Sequence, residues 1–374
     1  MVLLSAIGHA VHTPMNSAPR WRMPMCSACS LVTWNILAPS FAHAHKYPWA
    51  SADQLSWERR QALIVERLAA IDADMICLQE VEVALWDGLH RRLAKLGYEG
   101  VLQETSRGHP VANAVLLRRG LLKFDRSESR SRALITVVRA AKAPPATPPL
   151  YLSSVHLEAG AEKSATRFAQ ILSLLRRIEL QRAIDAAAGQ GRRSLSPGSD
   201  GAPAALVLAG DFNCDRSADL HSFLLHGALP DGPRERQGRP AANMHPKTGP
   251  RKRVSKTPLL PLQDAYLRTP PPWGPLLRSS YRNGRLLDFV WTSPTVDVLR
   301  TMPVCDLAGS SQPHPLPSMD HPSDHLPIGA LLSWPGAPDA VASSGARPAW
   351  QQVYVENVQR QRQPPSSPPQ TRRR

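Results

Sequence analysis

Leu206, Val207, Leu208 and Ala209 form an apolar run with no polar–apolar alternation, followed at once by Gly210, Asp211, Phe212 and Asn213. A strand reads this way when both of its faces are covered, so the run restricts the chain to folds that bury a sheet between layers. Other strand-like runs stand at "SLVTWNIL", "DMICLQE", "ANAVLLRR", "LITVVRA", "LYLSSVHL", "LLDFVWTS" and "LPIGALLSW". Helical periods sit between some of them. Ile64, Leu68 and Ile71 share one face of "WERRQALIVERLAAI", and Leu85, Leu89, Leu93 and Leu96 share a face of the next segment, closed by Gly97 as a C-terminal cap. A third helix is expected from about residue 161 to 186, with Phe168, Ile171, Leu172, Leu175 and Ile178 as its buried stripe. Strand runs alternating with helical periods predict an α/β architecture.

Segments rich in Pro, Gly and basic residues interrupt this pattern at "AKAPPATPP", near 188–203 and near 230–261, and read as solvated insertions within one domain. That domain is expected at 29–335, after a flexible leader at 1–28 and before a disordered, basic, Pro-rich tail at 336–374. The first acidic residue is Asp53, so the leader reads either as an organelle transit peptide, mitochondrial or plastid, or as a disordered segment of a cytoplasmic protein. No apolar run approaches the roughly 20 residues a bilayer span needs, and no membrane partner is expected. Five scattered cysteines make no disulfide framework, and Cys26 with Cys29 form a CxxC without a second pair, which favours a reducing compartment. Forty-five basic against 30 acidic residues give a formal charge of +15, which favours a polyanionic partner, although "PRERQGRP", "PKTGPRKRVSK" and "TRRR" hold much of it.

Polar residues of similar type recur at strand ends: Asn35, Glu80, Asn113, His156, Asp211, Asn213, Asp288, Asp324 and His325. Each has an ordinary reading alone, as a turn former, a helix cap or a satisfied core histidine. Together they point to one crevice, because strand ends on one edge of a sheet converge. Several carboxylates gathered there repel one another and call for a cation, and oxygen ligands without Cys select Mg²⁺ or Mn²⁺ over Zn²⁺. Asp215 reads as a turn residue only.

In chain order "WNIL", "ICLQEV", "VHL" followed by Arg167 and Gln170, "GDFN", "LLDFVW" and "SDHLP" resemble the motifs of the endonuclease/exonuclease/phosphatase superfamily of magnesium-dependent phosphodiesterases. The resemblance implies a four-layer α/β sandwich, two mixed β-sheets flanked by helices. "WNILAPSFA", "YPWASADQLSWERR", "LQDAY" and "LPSMDHPSDHLPI" resemble more narrowly the deadenylase and nocturnin branch. It implies Glu80 as the principal magnesium ligand, Asn35 beside it, and Asp324 at a second metal or its water shell. Asp211 would orient or deprotonate the attacking water with Asn213, while His156 and His325 donate to phosphate oxygens and Asp288 holds His325 as the imidazolium. Asn113, Tyr281 and Arg167 correspond to substrate-binding positions. The branch's aromatic residue about five positions before the aspartate is Asn283 here, with Tyr281 two residues further back. The implied activity is a Mg²⁺-dependent 3′–5′ exoribonuclease on single-stranded RNA of the poly(A) type. The alternatives are a nocturnin-like phosphatase or phosphodiesterase on a small nucleotide, and a catalytically inactive RNA-binding scaffold.

Overall fold

The computed structural model describes residues 28–105, 108–190, 205–227, 261–269, 280–303 and 315–338. The leader to residue 27, with Cys26, the insertions beyond residue 190 and at 230–260, and the tail beyond 338 lie outside the described residues. In chain order the strands are β1 (Cys29–Asn35), β2 (Met75–Glu82), β3 (Tyr98–Leu102), β4 (Val111–Arg118), β5 (Leu122–Arg130) and β6 (Ala133–Ala140). They continue with β7 (Leu150–His156), β8 (Ala205–Asp211), β9 (Gln263–Asp264), β10 (Asp288–Thr292), β11 (Asp297–Thr301) and β12 (Ile328–Ser333). The helices are α1 (Ala52–Leu55), α2 (Trp57–Ile71), α3 (Trp86–Lys95), α4 (Ser164–Gln190), α5 (Asp219–His226) and α6 (Ala265–Arg268).

The strands form two mixed six-stranded sheets, in the orders β11-β12-β1-β2-β4-β3 and β5-β6-β7-β8-β10-β9. Parallel neighbours need a long crossover, and the two parallel pairs obtain one from helices: α2 lies between β1 and β2, and α4 between β7 and β8. One core cluster joins the facing sides of the sheets, Leu31, Cys77 and Val115 on one side with Ile135, Leu152 and Leu208 on the other, and continues into Ile171, Leu174, Leu175 and Ile178 of α4. A second lies on the outer face of the first sheet, where Val32, Trp34, Ile76 and Leu78 meet Ile64, Leu68, Leu89 and Leu93 of α2 and α3. Both faces of β1 and β2 are thus covered, which explains their unbroken apolar sequence. Each such side chain removed from water contributes about 2 kcal/mol.

The expected α/β sandwich is the observed one, with two differences of detail. Leu174 rather than Leu172 completes the buried stripe of α4, and the helix runs on to Gln190. The strands without a sequence signal, β3, β5, β9 and β11, are the four edges of the two sheets. Edge strands are half solvated, so β5, "LKFDRSESR", alternates exposed polar residues with only one fully buried position.

Gly210 lies where β7 and β8 approach. Its φ is +150°, and a Cβ placed there would stand 1.9 Å from the carbonyl oxygen of Val155. Relief would require moving backbone, so Gly210→Ala should lower unfolding stability by at least about 2 kcal/mol in denaturant titration. A change within about 0.5 kcal/mol would show that the strands are not so closely packed.

Candidate active site

Pairing register assembles the site. His156 ends β7 and stands beside Asp211 at the end of β8, and Asp211 stands beside Asp288 at the start of β10. The three occupy one rung across three strands because β7 and β8 run parallel while β10 runs against them. In the other sheet Asn35 ends β1 and pairs with Gln79 of β2, next to Glu80. A bulge between Leu78 and Val81 and a φ of 58° at Glu80 turn this carboxylate off the regular pleat.

The two sheet edges meet through Asn35, whose Nδ2 donates to Glu80 Oε1 and to Asp211 Oδ2, each at 3.1 Å. Glu80 Oε2 accepts from the Ala38 amide at 3.0 Å, and Asp211 Oδ1 from the Asn213 amide at 2.8 Å. Glu80 therefore faces the crevice and caps no helix. His156 Nε2 lies 3.8 Å from both Glu80 Oε1 and Asp211 Oδ2. His325 Nδ1 bonds Asp288 Oδ2 at 2.8 Å, leaving Nε2 at 3.7 Å from Asp211 Oδ2. Asp288 Oδ2 also accepts from Ser280 Oγ at 2.7 Å. Behind this face Gln79 Nε2 donates to Ser154 Oγ at 3.0 Å, a buried polar stitch from sheet to sheet.

The two histidines differ in charge because their carboxylate contacts differ. Burial alone would lower His325, but Asp288 first and Asp211 next outweigh it and hold its pKa well above the ordinary 6.5. His156 has no such contact partner, and burial depresses it in spite of Asp211, so it is neutral at pH 7. Burial raises Asp211, with the charge of Asp288 adding to it and the two histidines offsetting it. Burial likewise raises Glu80, and Asp324 raises it further against the bonds from Asn35 and Ala38.

A divalent cation fits these residues, because desolvation and repulsion at the carboxylates are what a hard cation relieves. Oxygen and nitrogen atoms of Asp211, Asp288 and His325 also lie within 4.8 Å of one another. That group is an ion pair in its own right: a protonated imidazole donating to Asp288 offers no lone pair to a metal on that nitrogen.

The remaining residues singled out in the sequence take varied places. Asp324 accepts from the Tyr47 hydroxyl at 2.7 Å. Asn213 Nδ2 donates to the Leu157 carbonyl at 2.9 Å, and Asn213 itself has a φ of 50°. Asn113 is held by Gln103 Oε1 at 2.8 Å, with its own Oδ1 buried and unpartnered. The Tyr281 ring lies 4.7 Å from that of His325. Arg167 is buried and donates to the carbonyls of Glu158 and Gly160, so what it visibly does is hold the loop after β7. Asp215 accepts from the Ser217 amide as a turn residue. "LQDAY" also proves structural: Asp264 bonds Arg216 and caps α6, and Tyr266 donates to the Gly329 carbonyl.

The sequence reading missed Ser280, Ser323, Tyr47 and Arg60. Ser323 Oγ donates to the Asn35 carbonyl at 2.6 Å and accepts from the His325 amide. Arg60, fully buried, donates to the carbonyls of Ile36 and Leu37 and, at 2.7 Å, of Pro322. Tyr47, Arg60 and Ser323 lie inside the motif stretches already quoted, whereas Ser280 has no local signal.

His325 carries a testable consequence. A histidine with a raised folded pKa adds stability that is fully present below its unfolded value and fades as pH climbs through the folded value, so the sensitive window lies above pH 6.5. In an NMR titration the His325 ring should stay protonated at neutral pH, and Asp288→Asn should move its midpoint down by about one unit or more. An unchanged midpoint would contradict the pairing.

A sequence model of the Endonuclease/Exonuclease/phosphatase family matches residues 32–325. Nocturnin of Rattus norvegicus is 23% identical over 338 residues, covering 83% of this chain and 66% of the relative. The CCR4-Not complex 3′-5′-exoribonuclease subunit Ccr4 of Neurospora crassa is 35% identical over 79 residues, 21% of this chain and 10% of that protein. The chain thus spans about two thirds or less of the length of these curated relatives. The crystal structure of ANGEL2, a 2′,3′-cyclic phosphatase, in complex with adenosine-2′,3′-vanadate superposes with a TM-score of 0.60 at 17% identity, over 82% of this chain and 96% of that one. This likeness carries the architecture. With the motifs now standing where the two sheets of that architecture meet, the chain belongs to the Endonuclease/Exonuclease/phosphatase family.

Proposed function

We propose that the protein is a Mg²⁺-dependent phosphodiesterase that removes nucleotides from the 3′ end of single-stranded RNA, with poly(A) as its model substrate. The observation that carries the hydrolytic reading is the rung His156–Asp211–Asp288, with His325 charged beside it and Glu80 across the crevice. Enzymes of this family are metal-dependent, and the carboxylates of Glu80 and Asp211, raised by burial and by neighbouring acids, fit a divalent ion. Glu80 would hold Mg²⁺, with Asn35 beside it and Asp324 at the water shell; Mn²⁺ suits the same donors. When bound, the ion neutralises charge on the phosphate and on the departing oxygen.

The chain's own residues do the rest. Asp211 takes the proton of the attacking water, and burial makes its carboxylate a stronger base than an exposed one. Asn213, its Nδ2 committed to Leu157, offers Oδ1 to the same water. The His325 imidazolium donates Nε2–H to a non-bridging phosphate oxygen, and Asp288 keeps it charged and oriented. Neutral His156 donates one further N–H. These groups supply position and charge, which is most of what phosphoryl transfer requires.

RNA as substrate is supported by the exoribonuclease activity that the Ccr4 relative is named for and by the excess of basic over acidic residues. A second reading, hydrolysis of a small nucleotide, is favoured by Asn283, which offers no ring for a base to stack on.

The test is incubation of the purified chain with 5′-labelled oligo(A), mixed-sequence RNA and small nucleotides, with Mg²⁺ or EDTA. The proposal expects a Mg²⁺-dependent ladder shortening from the 3′ end. Asp211→Asn should slow it by about 10³-fold or more with the thermal midpoint retained. Release of phosphate from a small nucleotide with RNA left intact would select the second reading, and turnover unaffected by Asp211→Asn would overturn the catalytic assignment.

A further inference from the structure

The loop between β1 and α1 brings a second group of side chains to the edge of the site. Tyr47, bonded to Asp324, meets the ring of Trp49 edge-on at 5.8 Å. The guanidinium of Arg282 lies 4.9 Å from the Tyr47 ring, 5.5 Å from Trp49 and 5.7 Å from Tyr281. Arg282 Nε donates to the Tyr281 hydroxyl at 3.1 Å and stands 3.8 Å from Asp324, while Nη1 donates to the Lys46 carbonyl. Through Tyr281, which lies against His325, this group is continuous with the rung.

A cation held among rings has a plain structural use: it pins the loop to the segment before β10. That use accounts for Tyr47, 3% exposed, but not for Trp49, which is 41% exposed. The indole is nevertheless fixed, since Nε1 donates to the Pro317 carbonyl at 3.3 Å. A rigid, solvent-facing indole backed by a guanidinium, next to a phosphate-handling centre, has the chemistry of a base-stacking platform. Phosphate charge on a strand lying over it would be offset by Arg282.

We propose that Trp49, braced by Arg282, stacks a nucleobase of single-stranded RNA beside the phosphate that is cleaved, an inference that rests on the nuclease reading above. Trp49 then supplies the ring that Asn283 lacks, from a different loop, and lets the site prefer a strand with bases over a bare phosphodiester.

The test uses the full chain with Trp49→Ala and Trp49→Phe. Binding of fluorescein-labelled oligo(A), and of an abasic strand of equal length, is read by anisotropy in the Asp211→Asn background with Mg²⁺. Trp49→Ala should weaken oligo(A) binding about tenfold and leave the abasic strand within about twofold, with Trp49→Phe recovering most of the loss. On active enzyme the same change should raise KM for oligo(A) about tenfold and retain kcat. The platform is overturned if Trp49→Ala binds oligo(A) as the parent does, if both strands weaken equally, or if the parent does not bind oligo(A). Trp49-dependent binding without cleavage by the parent would instead keep the platform and remove the nuclease reading.

Discussion

The parallel pairing of β7 with β8, closed tightly at Gly210, is the constraint on which the site depends. It sets His156 level with Asp211, and the antiparallel β10 then sets Asp288 level with both. The other sheet repeats the pattern, with β1 and β2 parallel, so Asn35 and Glu80 also stand at carboxyl ends. Strands that run the opposite way contribute from their amino ends: Asp288 opens β10, Asn113 lies near the start of β4, and His325 shortly precedes β12. One topological rule, applied in both sheets, thus brings residues scattered over most of the chain to a single crevice.

Such a cluster opposes folding, because the buried carboxylates of Asp211 and Asp288 and the partly buried one of Glu80 share a small volume. The structure offsets this with amide donors from Asn35, Ala38 and Asn213 and with one imidazolium. Unusual backbone accompanies it, since Glu80 and Asn213 both have positive φ and both lie in the site. The histidines show how environment divides labour: the bond to Asp288 keeps His325 charged, and burial keeps His156 neutral.

How much of this the sequence disclosed follows from burial. Strands covered on both faces, such as β1 and β8, write continuous apolar runs, whereas the edges β3, β5, β9 and β11 write none. The polar residues that close those runs were legible for the same reason: an acid or amide at the end of an apolar stretch stands out. Ser280 was not, because no motif stretch covers it although it meets Asp288 only eight residues on, and the partner that Gln79 finds in Ser154 lies across the sheets. The side-chain directions of Arg167 and the pairing of Tyr47 with Asp324 belong to tertiary packing and leave no periodic trace. The motif resemblance supplied the grouping that periodicity alone could not.

The central proposal is that Glu80 would hold the divalent ion while Asp211, Asp288 and His325 would work on water and phosphate. Mn²⁺ binding to the wild-type chain, followed by electron paramagnetic resonance, tests it through Glu80→Gln and Asp288→Asn. The account predicts that Glu80→Gln weakens Mn²⁺ binding by about tenfold or more and that Asp288→Asn leaves it nearly unchanged. The reverse order would place the ion at the Asp211–Asp288–His325 group and contradict the account.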